Sequence, residues 1–216
     1  MNRLAVALVL VAPLAARAQE LNFSTTSAAR PNIVQARTGL DHAFVAEVGY
    51  LRAIDDGLFL GGDVAMPWAM PDLGDYRLRA TAGLQLLGAQ HWRIAGWLSP
   101  TLRATGNVAS SMVALGSDVR VAGGYYSRGW FVAGELGFDW VAATHVSFSQ
   151  AYRKQVYARA QDGWYGLPGG TTYAGLHGGL SFSSFDLVLR LGQPRTQSLA
   201  LQTVPFYATL GVNLSL

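Results

Sequence analysis

Cysteine is absent from the 216 residues. That excludes disulfides, thiolate metal sites, a cysteine nucleophile and a lipoprotein anchor. Lysine is nearly absent too: Lys154 is the only one, and the remaining cationic charge is arginine. No basic run occurs anywhere, so nothing marks a nucleic-acid partner. Beyond the first residues there is no apolar run of about 18, so no helix of the kind that spans a bilayer is expected. Yet 50% of the residues are hydrophobic and only 13% are charged. A chain this apolar, without apolar blocks, has to distribute its hydrophobic residues by alternation.

The first residues, MNRLAVALVLVAPLAARAQ, have the pattern of a secretory signal peptide. Arg3 supplies the positive start, Leu4 to Ala15 the apolar stretch, and Ala16-Arg17-Ala18 the small-x-small cleavage site. Residues 1–18 are therefore expected to be removed, leaving 216 − 18 = 198 residues, 19–216, as a single domain. Removing Arg3 and Arg17 takes 16 Lys+Arg to 14, against 13 Asp+Glu. The mature chain is thus nearly neutral, and its basic pI says nothing about partners.

The clearest element is Gly129 to His145, GWFVAGELGFDWVAATH. Trp130, Val132, Gly134, Leu136, Phe138 and Trp140 share one face. Glu135, Gly137, Asp139, Ala143 and His145 share the other. A period of two means a strand. At roughly 3.3 Å per residue and a tilt near 45°, Trp130 to Trp140 spans about 23 Å, the height of the apolar band of an outer-membrane barrel.

The same reading along the chain finds ten candidate strands. They run over 20–26, 34–53, 58–68, 76–86, 92–105, 112–126, 129–145, 171–182, 185–192 and 205–216. Short joints (54–57, 88–91, 127–128, 183–184) alternate with longer ones, as periplasmic turns alternate with extracellular loops. The expected fold is all-β: an up-and-down antiparallel transmembrane β-barrel of ten strands in the outer membrane of a bacterium. Eight strands result if the first fails, and twelve if 146–170 hides a hairpin. Phe206, Ala208, Leu210, Val212, Leu214 and Leu216 alternate to the last residue. This end resembles the C-terminal strand that the barrel-assembly machinery recognises in bacterial outer-membrane proteins, which implies that machinery as a partner.

Alternation also predicts the lumen. Its acids are Glu47, Asp63, Asp118, Glu135, Asp139 and Asp186; its bases are Arg77, Arg79, Arg93, Arg103, Arg120 and Arg190. The tight turns suggest Arg120 opposite Glu135, Glu47 opposite Asp63 with Arg79 bridging the two carboxylates, and Gly83 opposite Trp97. A ten-stranded barrel is only slightly wider than one filled by its own side chains, so the expectation is a packed, charge-paired interior.

Three further sets of residues call for a chemical reading. His145 and Ser147 form a His-x-Ser pair that resembles the one in outer-membrane lipid A deacylases, with Asp139 the nearest carboxylate to orient the imidazole. Phe148 follows the serine here. Asp41-His42 with Asp72 and Asp75 resembles the Asp/His rim of ten-stranded outer-membrane proteases, which are longer chains. The loop 146–170 is expected to carry a short helix capped by Ser149 and running to Arg159. Its Arg153, Lys154 and Arg159 make a positive face suited to lipopolysaccharide phosphates. No residue set calls for a metal or cofactor. The leading function is an outer-membrane barrel with a structural or surface-interaction role and a largely filled lumen; the alternatives are a narrow channel for small solutes and a lipid-modifying hydrolase.

Overall fold

Alternation builds strands because successive side chains leave the backbone on opposite sides, and a sheet with one apolar face can hide its polar face by closing on itself. The computed structural model describes residues 20–25, 30–41, 43–55, 57–68, 74–166, 169–196 and 204–216. The segment expected to be a signal peptide lies outside the described residues. The elements are β1 (Asn32–Leu40), β2 (Phe44–Asp55), β3 (Leu58–Pro67), β4 (Tyr76–Ala89), β5 (Trp92–Gly106), β6 (Ser110–Tyr126), β7 (Trp130–Phe148), α1 (Gln150–Gln155), β8 (Gly163–Tyr165), β9 (Gly169–Ser181), β10 (Phe185–Thr196) and β11 (Tyr207–Ser215).

Each neighbour in the sheet is antiparallel, β7 pairs with both β6 and β9, and β11 pairs back to β1. Among the described residues ten strands thus close into a barrel. β8 stands outside the ring. It pairs only with Thr144 to Val146 of β7, beyond the point where β9 stops.

The ring has ten strands, but not the ten expected. Glu20 to Thr26 is not a strand: over its described part, residues 20–25, Glu20, Leu21 and Asn22 are fully buried within the barrel. The long strand expected over 34–53 is instead the hairpin β1–β2, turning at Asp41, whose N–H donates to the Ala43 carbonyl at 3.0 Å. Leu40 pairs with Phe44, so even-numbered residues face outward on both sides of the turn. The apolar period therefore runs through the turn unbroken and hides it. Gly39 is needed there: at φ 150°, a Cβ would lie 2.2 Å from the Ala208 carbonyl oxygen of the neighbouring strand.

Two registers differ from expectation by two residues. Arg120 pairs with Gly137 rather than Glu135, and Glu47 with Ala65 rather than Asp63. A slip of two keeps every side chain on its face. The β2–β3 shift is taken up by an irregularity between Ala53 and Asp55. Gly83 does pair with Trp97, across a turn with Gln90 at φ 51°. A Cβ on Gly83 would fall 2.7 Å from the indole, so the glycine makes room for the ring to lie on the sheet.

The outer surface is an apolar band. Val48, Leu60, Leu78, Leu98, Val119, Val132, Leu136, Leu189 and Leu210 are all exposed. At the short-turn end, Tyr125 stacks on Trp130 at 5.1 Å and meets Trp92 edge-on at 5.9 Å. Toward the other end stand Trp140 and the edge-on pair Phe44–Trp68. Apolar wall between aromatic girdles is the architecture of an outer-membrane β-barrel. A charge placed mid-band should then be costly in a bilayer. Leu136→Arg is expected to lower unfolding free energy in lipid vesicles by about 2–4 kcal/mol, and Val156→Arg on the loop by about zero. Equal losses at the two positions would contradict burial of the band in hydrocarbon.

Candidate functional site

The inward face carries the chemistry, and it is sealed at the short-turn end by residues 20–25. Residues 20–25 enter the lumen there. Phe23 packs against Phe59, Trp97 and Tyr126 at ring distances of 5.6, 6.2 and 5.1 Å. Leu21 joins Ile33, Leu51 and Phe59 in one apolar cluster. The backbone of this plug is tied as well. Asn22 donates to the Ser127 carbonyl at 2.6 Å and to Ser181 Oγ at 2.7 Å, and Asn213 donates to the Glu20 carbonyl at 2.7 Å.

Above the apolar seal lies a layer of charge. Glu20 meets Arg37 at 2.6 Å, Arg120 at 3.4 Å and Arg190 at 3.5 Å. Glu135 accepts from Arg120 at 2.7 Å, from Arg190 at 2.6 Å and from the Tyr207 hydroxyl at 2.6 Å, with His177 Nδ1 3.4 Å away. The guanidinium carbon of Arg120 sits 4.4 Å above the Trp97 ring, and that of Arg190 sits 4.4 Å from the Tyr207 ring. Two carboxylates and three arginines thus share one dry layer, each charge having an opposite one in contact.

The next layer toward the mouth is built on Glu47. It meets Arg37 at 2.9 Å, Arg77 at 3.4 Å and Arg79 at 2.6 Å, and the Arg79 Nε–H reaches Asp63 at 3.1 Å. Arg79 thus contacts both carboxylates, Glu47 and Asp63. Arg77 also pairs with Asp41 at 2.7 Å. Higher still, Arg103 pairs with Asp139, and Tyr173 donates to Asp118. Asp118 and Asp139 are direct cross-strand partners, so the carboxylates that face each other are these two and not Glu47 and Asp63. Asp186 is buried beside the plug end, opposite Ser181, and Arg93 bonds the Gln90 carbonyl of its own turn at 2.6 Å, outside these layers. The two cavities left between the layers measure about 20 Å³ each. Each has room for about one water molecule.

Glu20, Arg37 and His177 are absent from the sequence reading of the lumen. Arg37 has the same parity as Glu47, and His177 the same parity as Tyr173, so alternation alone places both inside once the hairpin β1–β2 is recognised. Glu20 carries no such signal, because a plug has no period.

His145, Ser147 and Asp139 do not assemble. Val141 pairs with Gly116 but Ala143 with Leu115, so β7 carries an extra residue at Ala142. One extra residue flips the parity. Thr144 is buried, whereas His145 lies opposite outward Val113 and meets the Trp164 ring at 5.2 Å. Asp139 stays in the lumen on Arg103. Of the rim set, Asp41 and Asp75 stand at the barrel mouth, and His42 and Asp72 lie outside the described residues.

In the loop, Ser149 caps α1, accepting from the Tyr152 N–H at 3.1 Å, but the helix ends at Gln155 rather than Arg159. Arg153 is paired with Asp162 at 2.5 Å, and Asp162 also accepts the Phe148 N–H at 2.7 Å. Lys154 and Arg159 are exposed.

Among solved structures, the chain is similar to a KdgM porin, with a TM-score of 0.46 and 8% identity, over 85% of this chain and 99% of that one. No protein-family model and no curated protein matches it.

Two outcomes follow from this geometry. Arg120→Met and Glu135→Gln should each cost about 3–5 kcal/mol, because each strands a buried partner charge, and the double variant should cost clearly less than their sum. Additive losses in reversible unfolding would mean that the pair is not coupled. In the loop, the hydrogen bond from Arg153, then that from the Phe148 amide, hold the Asp162 carboxyl below its ordinary value. A lowered folded value makes the contact stabilising above the ordinary aspartate range and loses it as pH falls through the folded value. Protection of the Phe148 amide from exchange should therefore survive down through the ordinary aspartate range and vanish in Asp162→Ala, which has no acceptor, at every pH.

Proposed function

We propose that this chain is an integral outer-membrane barrel that stays shut, with a structural or surface-interaction role rather than bulk solute passage. The observation that carries this reading is the plug. Residues 20–25 fill the short-turn end, and Glu20 completes a charge layer with Arg37, Arg120 and Arg190. Opening a pore through that layer would separate several buried ion pairs in a low-dielectric interior. Among the described residues, the two cavities above it measure about 20 Å³ each, too small for a hydrated solute.

Work at such a barrel belongs to its long-loop end. There β6 and β7 rise past the ring, α1 caps the hairpin, and β8 broadens the wall. Lys154 and Arg159 on this wall suit the phosphates of lipopolysaccharide, and Arg153 is less suited because Asp162 already neutralises it. The alternating β11 supports delivery by the barrel-assembly machinery to the outer membrane.

Conductance in planar bilayers tests the reading. The unaltered chain is expected to give no large, steady current. Glu20→Ala combined with Phe23→Ala removes the charge and the apolar anchor of the plug and is expected to give flickering openings. Large, voltage-independent steps from the unaltered chain would reject a shut barrel and favour the channel reading.

A further inference from the structure

The barrel mouth holds a cavity that the charge layers do not fill. It measures about 260 Å³ and is bounded by Asp41, Asp75, Arg77 and Arg103. Its apolar wall includes Val45, Ala65 and Pro67. A larger recess on the outer wall, beside Trp130 and Leu210, has only apolar side chains around it and belongs to the band. Among the described residues, the mouth cavity is the one that joins usable volume to charges of both signs.

Its charges are arranged unusually. Arg77 and Arg103 are direct cross-strand partners, like charges side by side. Such a pair is destabilising unless anions share it. Arg77 is committed to Asp41 and Glu47. Arg103 is committed only through Nη2, to Asp139; its side chain is 26% exposed, the most exposed of the ion-paired luminal arginines. Its Nε has no hydrogen-bond partner among the described residues, and the side chain lines the cavity. Asp75 makes no ion pair among the described residues either. The four bounding charges sum to zero, two arginines against two aspartates.

We propose that this cavity binds a small aliphatic α-amino acid. The ligand's carboxylate pairs with the Arg103 guanidinium beside Arg77, its ammonium group pairs with Asp75, and its side chain lies on Val45, Ala65 and Pro67. A plain anion would meet Arg103 but also two aspartates. A plain cation would meet Asp75 but also two arginines. A zwitterion satisfies both signs and leaves the site neutral. The cavity lies on the mouth side of the charge layers, so the proposal does not depend on whether the lumen conducts.

The test is calorimetric titration of the full chain in lipid nanodiscs with three probes of one skeleton: L-valine, isovalerate and isobutylamine. L-valine is expected to bind saturably, and each single-charge probe at least about tenfold more weakly, the loss of one charge-assisted contact. Arg103→Met should abolish L-valine binding. That variant also strands Asp139, so Asp75→Asn, which breaks no ion pair, is the second arm; it should bring L-valine and isovalerate to equal affinity. Isovalerate binding as tightly as L-valine to the unaltered chain would make this a plain anion site and overturn the proposal. Absence of saturable heat with all three, or an Asp75→Asn variant that still prefers L-valine, would overturn it as well.

Discussion

The constraint on which this structure depends is the pairing of buried charges inside a closed ring. Closing ten strands removes every sheet edge but commits one side chain in two to a narrow interior. That interior holds Arg37, Arg120 and Arg190 in one layer; Glu135 pairs with Arg120 and Arg190, and Glu47 with Arg37. Glu20, supplied from outside the sheet, meets all three. An unpaired buried charge costs several kcal/mol, so the barrel wall and the plug form a single electrostatic unit. The apolar side of the same segment, Leu21 and Phe23, closes the end below.

The two ends of the barrel consequently differ in kind. The short-turn end is apolar, sealed and held by hydrogen bonds to Asn22 and Asn213. The long-loop end is charged, incompletely filled and extended on one side by the β6–β7 hairpin and β8. The proposed roles belong to the second end, where open volume and exposed charge remain in the mouth cavity and on the loop surface. The lumen between them is occupied by ion-paired side chains.

Much of this was legible in the residues themselves. Period-two alternation identifies the barrel class, the outward face of nine of the ring strands and the inward placement of Glu47, Asp63, Arg79, Arg120 and Glu135. Their sharing of one face is independent of register, which is why Arg79 bridges Glu47 and Asp63 even though the pairing is displaced by two residues. Three things were not legible, each for a physical reason. The β1–β2 turn leaves parity unchanged, so no break in the pattern marks it. The extra residue at Ala142 changes parity inside a strand without any glycine or proline to announce it, and this turns His145 outward. The plug has no period at all; beyond a local turn at Asn22, its six described residues are held by contacts to the ring.

Residues 20–25 lie inside the barrel, and the absence of cysteine allows this to be tested with single labels. Leu21 is 1% exposed and Val108, in the turn between β5 and β6, is 94% exposed. In the folded protein in vesicles, Val108→Cys should react at once with a membrane-impermeant maleimide applied to both sides, whereas Leu21→Cys should stay unlabelled until the barrel is denatured. Labelling of Leu21→Cys at the rate of Val108→Cys would contradict a plugged barrel.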